Sequence, residues 1–509
     1  MTVASPESLR FCQPAGTIAG LLEECAVSRP NRPLLRDVSG ATLTVGDVAA
    51  LSSAATRWLW DAGVRPGMTV AWQLPSHVNA AVLMLALART PVVQAPVLHL
   101  YRARDVRTAV DVAGVDILLV DESTVANAPG KVPTVVVPPD LVVQLQTSMR
   151  SPHPELGSPG AAAEASWVYF TSGTTGRPKG VRHTDATLLS ASRGYVAHIG
   201  LGSHPEEVGT IAFPIAHVGG MVYLAAALLG DFPVVLIPRV TVDDLPALLA
   251  KHRVTVTGAS TAFYQMLLSA QMAASTTELL MPSLRMLIGG GAACPPEVHR
   301  LVREHLKIPV VHAYGMTEAP MICVSESADT DEQLANSAGR PIPGSQVRIG
   351  TGGEIELRGG NLTPGYVESG QWEQVVTTDG WFRSGDRGQL RPDGRIVVTG
   401  RTKDLIIRKG ENIAPDEIEN ELLAHPLVDE VAIVGQPDEL RGELVCAVVR
   451  RSPRHRDVTL DELCTFLDAR GLMKQKWPER LVVVDDFPVT GLGKVAKSEL
   501  AQRIAGGTR

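Results

Sequence analysis

The stretch YFTSGTTGRPKGVRHT, Tyr169 to Thr184, packs three glycines, five small hydroxyl side chains and three cations (Arg177, Lys179, Arg182) into sixteen residues. Glycines free backbone amides to converge on one centre, hydroxyls add donors, and cations balance negative charge, so the composition suits a polyphosphate. Taken alone, the run also fits a solvated turn, which favours the same residues.

Spacing narrows the choice of phosphate chemistry. A Walker A loop needs a glycine, four residues, then Gly-Lys-Ser/Thr. Counting from Gly173 brings Pro178 and Lys179, and no hydroxyl residue follows the lysine, so a P-loop kinase or ATPase loses its main support. The dinucleotide fingerprint fails too: GGGAAC (Gly289 to Cys294) ends on cysteine and GLGKVA (Gly491 to Ala496) on alanine where the last glycine should stand.

The elements that must hold this stretch follow from the rhythm of the chain. Residues 42 to 140 alternate helix-like apolar segments such as VNAAVLMLALART with short β-branched runs such as PVVQAPVL, VDILLV and VPTVVVP, the pattern of a parallel α/β layer. A loop rich in Pro, Gly, Ser and Ala, about 151 to 164, leads into ASWVYF, and the rhythm resumes through PVVLIP, VTVTGAS, LRMLIGGG and IPVVHAYG. Between about 337 and 400, short strands divided by Gly and Pro turns predict a small antiparallel sheet or barrel. A compact tail then combines two helices, PDEIENELLAHP and TLDELCTFLDARG, with the strands VDEVAIVGQ and ELVCAVVR.

At 509 residues the chain has room for several cores. A hydrophobic share of 45%, a charged share of 20% and a net charge of −7 describe a globular protein without the basic stripe that nucleic acid requires. The start, MTVASPESLRFCQPAG, lacks the cationic end and apolar core of a secretory signal, and later apolar runs are broken by charge or proline. The expectation is a cytoplasmic protein without a transmembrane segment. Six cysteines scattered without CxxC spacing predict reduced thiols rather than a zinc site or disulfide framework.

The phosphate stretch resembles the signature of the adenylate-forming superfamily: acyl-CoA synthetases, peptide-synthetase adenylation domains and firefly luciferase. Four further motifs follow in that family's order: YGMTE (314 to 318), GWFRSGD (380 to 386), GRTKDLIIRKGENI (400 to 413) and PVTGLGK (488 to 494). The resemblance implies an α/β fold. A large N-terminal adenylation domain, residues 1–400, would hold two layered αβ subdomains plus a small β-barrel, and a small mobile α+β domain, 401–509, would follow. It implies an enzyme that joins a carboxylate to ATP-Mg²⁺, releases pyrophosphate and passes the acyl group of the adenylate to a thiol.

By the same resemblance each matched residue has a task. Thr171, Ser172, Gly173, Thr174, Thr175 and Gly176 with Lys179 embrace the β- and γ-phosphates. Tyr314 stacks on adenine, beside the backbone of Gly291 and Ala292. The Thr317 hydroxyl reaches the α-phosphate, and Glu318 is the hard oxygen ligand that Mg²⁺ favours. Asp386 and Arg401 hold the ribose. Lys494 bridges the substrate carboxylate and the α-phosphate, a role that suits a compact ammonium. Lys403 is the hinge at which the C-terminal domain swings between half-reactions. On the thiol side stand Lys409, Gly410 and Glu411, where Lys409 replaces the first glycine of the commoner GGEN.

Amino-acid-activating relatives carry an aspartate where this chain has His217, in PIAHVGG, so an α-amino acid would leave its ammonium buried without a partner. His217, Val218 and Thr261 are assigned to the acyl pocket, whose segments HVGGMVYLA and GASTAFYQM are small and apolar; an uncharged fatty or alicyclic acid is expected. The chain runs only fifteen residues past Lys494, so no fused carrier domain is expected and coenzyme A is the expected acceptor. A stand-alone ligase loading a separate acyl carrier protein is the alternative. The expected partners are therefore a small carboxylic acid, ATP and coenzyme A, with a homodimer left open.

Overall fold

The computed structural model describes residues 16–148, 165–171, 178–239, 244–259, 261–274, 278–291, 294–408, 411–438, 442–490 and 495–505. Two large mixed sheets form the bulk of the chain. The first has seven strands in the order Gly365–Tyr366, Lys179–Thr184, Ala165–Thr171, Val93–Pro96, Thr69–Gln73, Ile117–Val120 and Thr134–Val136. The last five run parallel, as their apolar β-branched composition predicts for strands covered on both faces. The helix Val78–Ala88, VNAAVLMLALA, is apolar all round, and eight of its eleven residues are buried.

The second sheet has nine strands. Its parallel centre comprises Val310–Met316, Met286–Gly290, Val256–Ala259, Gly209–Ile211, Val234–Leu236 and Pro33–Arg36. Antiparallel strands close both edges: Ala319–Val324 and Arg340–Pro341 on one side, Thr42–Thr44 on the other. The helices between the two sheets share one continuous apolar core, reaching from Leu22 through Trp72, Trp167 and Tyr195 to Ile288.

The small all-antiparallel unit expected between 337 and 400 is a four-stranded sheet, Ser345–Ile349, Glu354–Gly359, Phe382–Leu390 and Ile396–Arg401. Beyond it lies a compact α+β unit. Its five strands, Ile406–Arg408, Glu411–Ile413, Val431–Asp438, Gly442–Arg450 and Arg480–Val484, form one sheet. On one face Ile418, Leu422, Leu463 and Leu467 from two helices form a core; on the other Phe487, Leu500 and Ile504 form a second. The mixed α/β fold, with a large N-terminal and a small C-terminal part, is as the sequence led us to expect. A strand, Ala165–Thr171, does lead into the phosphate stretch; one feature was not expected, that beyond residues 172–178 the chain returns as a second strand, Lys179–Thr184, making an antiparallel hairpin. Two cations and a glycine in KGVRHT masked that strand, whose pairing on both sides stabilises it.

Among the described residues, five cysteines are free, three of them buried, and no helix is long and apolar enough to cross a membrane.

Candidate active site

Parallel strands deliver their functional loops at one end. Gly291, Thr317 and Glu318, His217 and Thr261 all follow the carboxyl ends of strands in the nine-stranded sheet, where open α/β sheets place ligands. Gly290 permits this convergence, because a Cβ there would come within 2.0 Å of the Ala313 carbonyl oxygen of the neighbouring strand. Gly291 then turns the chain with φ +87°, a conformation that favours glycine.

In the hairpin, Thr171 and Lys179 are cross-strand partners, so they close the loop 172–178 at its base. Ser172, Gly173, Thr174, Thr175 and Gly176 lie outside the described residues, as do Ala292, Lys409, Gly410 and Lys494 and the side chains of Lys403 and Glu411. Lys403 belongs to a single 3-10 turn, Thr402–Asp404, that directly follows the strand ending at Arg401.

The remaining residues fall into three groups. In the first, the Tyr366 hydroxyl donates to Glu318 Oε1 at 3.0 Å, and Lys179 Nζ lies 5.0 Å from the centre of the Tyr366 ring. Burial pushes the Glu318 carboxyl above its ordinary range, while its own backbone amide, Tyr366, Lys179 and Arg401 pull it back. In the second, Asp386 accepts from the Tyr314 hydroxyl on Oδ2 at 2.8 Å and pairs through Oδ1 with Arg401 Nε at 3.1 Å. Asp386 and Arg401 are also cross-strand partners, so backbone register sets the ion pair. Burial, with Asp386 beside it, pushes the Tyr314 phenol well above its ordinary value and keeps it a donor.

The third group is a recess of about 20 Å³ in which His217, Val218 and Thr317 meet Pro96, Leu98 and Phe170. His217 caps the helix Val218–Gly230: its Nδ1 accepts from the Gly219 amide at 3.1 Å, so the neutral ring carries its proton on Nε2. Thr261 starts another helix and stands outside this lining, its hydroxyl against the Cys294 thiol. Burial pushes that thiol up to about 12, which removes Cys294 as a nucleophile at neutral pH.

Two residues of this site carried no role in the sequence reading. Tyr366 follows a Pro-Gly turn with no spacing to mark it. His183 lies inside the phosphate stretch itself; it is fully buried, its Nε2 donates to the Thr317 carbonyl at 2.7 Å, and its Nδ1 meets the Thr187 hydroxyl at 2.9 Å. Burial holds its pKa down at about 4, so it is a neutral strut joining the hairpin to Thr317.

A larger cavity of about 530 Å³ opens at the amino ends of the same strands, away from these groups. Two of its cations are paired within it, Arg32 with Asp231 at 3.0 Å and Arg253 with Glu206 at 2.9 Å.

Known proteins resemble this chain over nearly its whole length. The AMP-binding enzyme family model matches residues 22–367, and the AMP-binding enzyme C-terminal domain matches 417–494. The medium-chain fatty-acid–CoA ligase of Escherichia coli (strain K12) is 27% identical, over 96% of this chain and 90% of its own. ATP-bound MatB from Rhodopseudomonas palustris superposes with a TM-score of 0.86 at 27% identity, over 96% of this chain and all of that one. O-succinylbenzoate coenzyme A synthetase from Bacillus subtilis, in complex with ATP and magnesium ion, gives a TM-score of 0.81 at 27% identity, over 94% of this chain and 98% of that one. With two thirds of its length in the first match and its second domain in the other, the chain belongs to the AMP-binding enzyme family, within the adenylate-forming superfamily of acyl-CoA synthetases.

Proposed function

We propose that the chain activates an uncharged, mainly apolar carboxylic acid with ATP and transfers the acyl group to coenzyme A, releasing pyrophosphate and then AMP. The observation that carries this reading is the adjacency of Thr317 and Glu318. Thr317 lines the apolar recess with His217, while Glu318 belongs to the charged group with Lys179. The recess, at about 20 Å³, would have to widen to take an acyl tail; an acid entering there and a triphosphate along Lys179 would then meet at these two adjacent residues.

In the first half-reaction a carboxylate oxygen attacks the α-phosphorus and the bond to the β-phosphate breaks. In the second, a thiolate attacks the acyl carbon and AMP leaves. The chain's own residues place these partners. Thr171 and Lys179 frame the phosphate loop, Thr317 faces the α-phosphate, Asp386 and Arg401 take the ribose hydroxyls, and Lys494 bridges carboxylate and phosphate. A Mg²⁺ ion would fit here: the half-buried Glu318 carboxylate has one oxygen engaged by Tyr366, and an ion arriving on a triphosphate needs one or two carboxylates. Such an ion would neutralise charge on the phosphate oxygens. The division at residues 400–401 would let the C-terminal unit turn at Lys403, withdrawing Lys494 and bringing the 409–411 loop to the site.

Among the described residues no carboxylate, lysine or arginine lines the recess, which supports an acid without a second charge. Thr261, assigned to the acyl pocket by its motif, lies outside the lining of the recess. Lys409, in place of the usual glycine beside the thiol tunnel, favours a second reading in which a separate carrier protein replaces coenzyme A.

The test is mass spectrometry of the purified protein given ATP, Mg²⁺, coenzyme A and a mixed pool of fatty, alicyclic and aromatic acids. An acyl-CoA with AMP is expected. Acyl adenylate accumulating with coenzyme A untouched moves the acceptor to a carrier protein, and ADP as the product overturns the adenylation itself.

A further inference from the structure

Lys179 and Glu318 bear opposite charges at the mouth of the phosphate hairpin, and among the described residues they form no direct ion pair. Tyr366 stands between them. Its hydroxyl takes the carboxylate at 3.0 Å and its ring face takes the ammonium at 5.0 Å from the centroid, an arrangement that uses both the dipole of the phenol and the quadrupole of the ring.

The backbone fixes that ring. Tyr366 pairs with Val181 across the edge of the seven-stranded sheet, and the Val367 amide donates to the Gly180 carbonyl at 2.8 Å. On the other side the Thr363 amide donates to the Glu318 carbonyl at 2.8 Å. Residues 363–367 are therefore bonded both to the strand leaving the phosphate loop and to the backbone of Glu318. Behind the ring, Trp372 meets Tyr366 edge-on at 6.1 Å and stacks on Phe382 at 5.3 Å. Phe382 lies in the strand that carries Asp386, so one aromatic ladder runs from the hairpin to the strand of the Asp386–Arg401 pair.

We propose that Tyr366 is a positioning residue that holds Lys179 and Glu318 apart and in register, so that cation and carboxylate stay available to one metal-bound triphosphate instead of neutralising each other. The proposal rests on the ATP reading above.

The hydroxyl and the ring have separable duties, and two substitutions separate them. Tyr366→Phe keeps the ring under Lys179 and removes the donor to Glu318; Tyr366→Leu removes both. The measurement is calorimetric binding of ATP to the full-length protein with Mg²⁺ and with EDTA, circular dichroism confirming the fold. Loss of one hydrogen bond to a charged group predicts that Tyr366→Phe weakens Mg·ATP binding about tenfold and leaves metal-free ATP unchanged. Tyr366→Leu weakens both. A Tyr366→Phe variant that weakens both forms equally, or neither, overturns the proposal, since a residue that merely packs cannot discriminate between them. Wild-type protein that binds neither form refutes the ATP reading instead. If the leucine variant fails to fold, the two titrations of the phenylalanine variant decide alone.

Discussion

His183 gives a prediction whose size follows from burial. The ring is fully buried against Tyr169, Thr187 and the Thr317 carbonyl, all uncharged, and burial depresses its pKa from 6.5 to about 4. The unfolded chain takes up this proton near pH 6.5, the folded chain only near 4, so between those values the unfolded state binds more protons and acid favours it. The stabilisation is complete above about pH 6.5 and is lost as pH falls to about 4; at about 1.4 kcal/mol per tenfold change in proton affinity it amounts to about 3 kcal/mol. His183→Gln keeps a donor for Thr317 and cannot titrate. Its penalty at pH 7.5 should be about 1–3 kcal/mol for imperfect hydrogen bonding, and that penalty should shrink by about 3 kcal/mol at pH 4.5. The assay is guanidinium unfolding of both proteins at each pH, followed by tryptophan fluorescence; Trp167, stacked on Tyr169 at 6.0 Å, reports on this region. The difference between proteins isolates the one imidazole from other titrating groups. Parallel stability curves for the two proteins would refute the reasoning.

Two further outcomes are expected. Lys497 Nζ sits 2.9 Å from Asp416 Oδ1 and 2.8 Å from Glu419 Oε1, with Glu419 only 15% exposed. Stranding that carboxylate by Lys497→Met should destabilise the C-terminal unit by about 2–4 kcal/mol, after allowance for the partial exposure of Lys497. Trp477, the one tryptophan after residue 400, reports the transition, and adding Glu419→Gln should restore part of the loss; an unchanged midpoint in the single variant contradicts this. Lys494→Ala should lower acyl-adenylate formation by about 10²–10³-fold while sparing transfer from supplied acyl adenylate to the thiol, and equal losses in both steps would end the proposed division of labour.

Regular elements were legible where periodicity and burial coincide. VNAAVLMLALART reads as a buried helix and VDILLV as a buried parallel strand because their surroundings are uniformly apolar. The return strand Lys179–Thr184 was not, since its stability comes from neighbours 10 and 185 residues away, Phe170 beside Gly180 and Tyr366 beside Val181, rather than from its own composition. Among the candidate site residues, those inside motifs were recoverable from order along the chain. Tyr366 and His183 were not, because their roles arise from what tertiary pairing sets beside them: a carboxylate 48 positions away for one and a carbonyl 134 positions away for the other.

The pattern of contacts around residue 401 bears on how the two parts would move. Arg401 ends its strand with its Nε on Asp386, whose side chain is only 6% exposed and is held from the other side by Tyr314. Pulling Arg401 away would leave a buried carboxylate without its cation, which is costly. A rotation of the C-terminal unit is therefore cheapest just beyond Arg401, in the short 3-10 turn that contains Lys403. On the far side, Lys497 ties the segment after Lys494 to the helix Pro415–Leu422 through Asp416 and Glu419. That helix begins two residues after the strand Glu411–Ile413, so this strand and the segment 495–505 are both tied to one element. A turn at Lys403 would carry both together, and with them the residues that precede each in sequence, the thiol-side loop and the proposed bridging lysine. The alternation proposed here thus needs no communication between the two half-sites beyond a single fixed ion cluster and a single free turn.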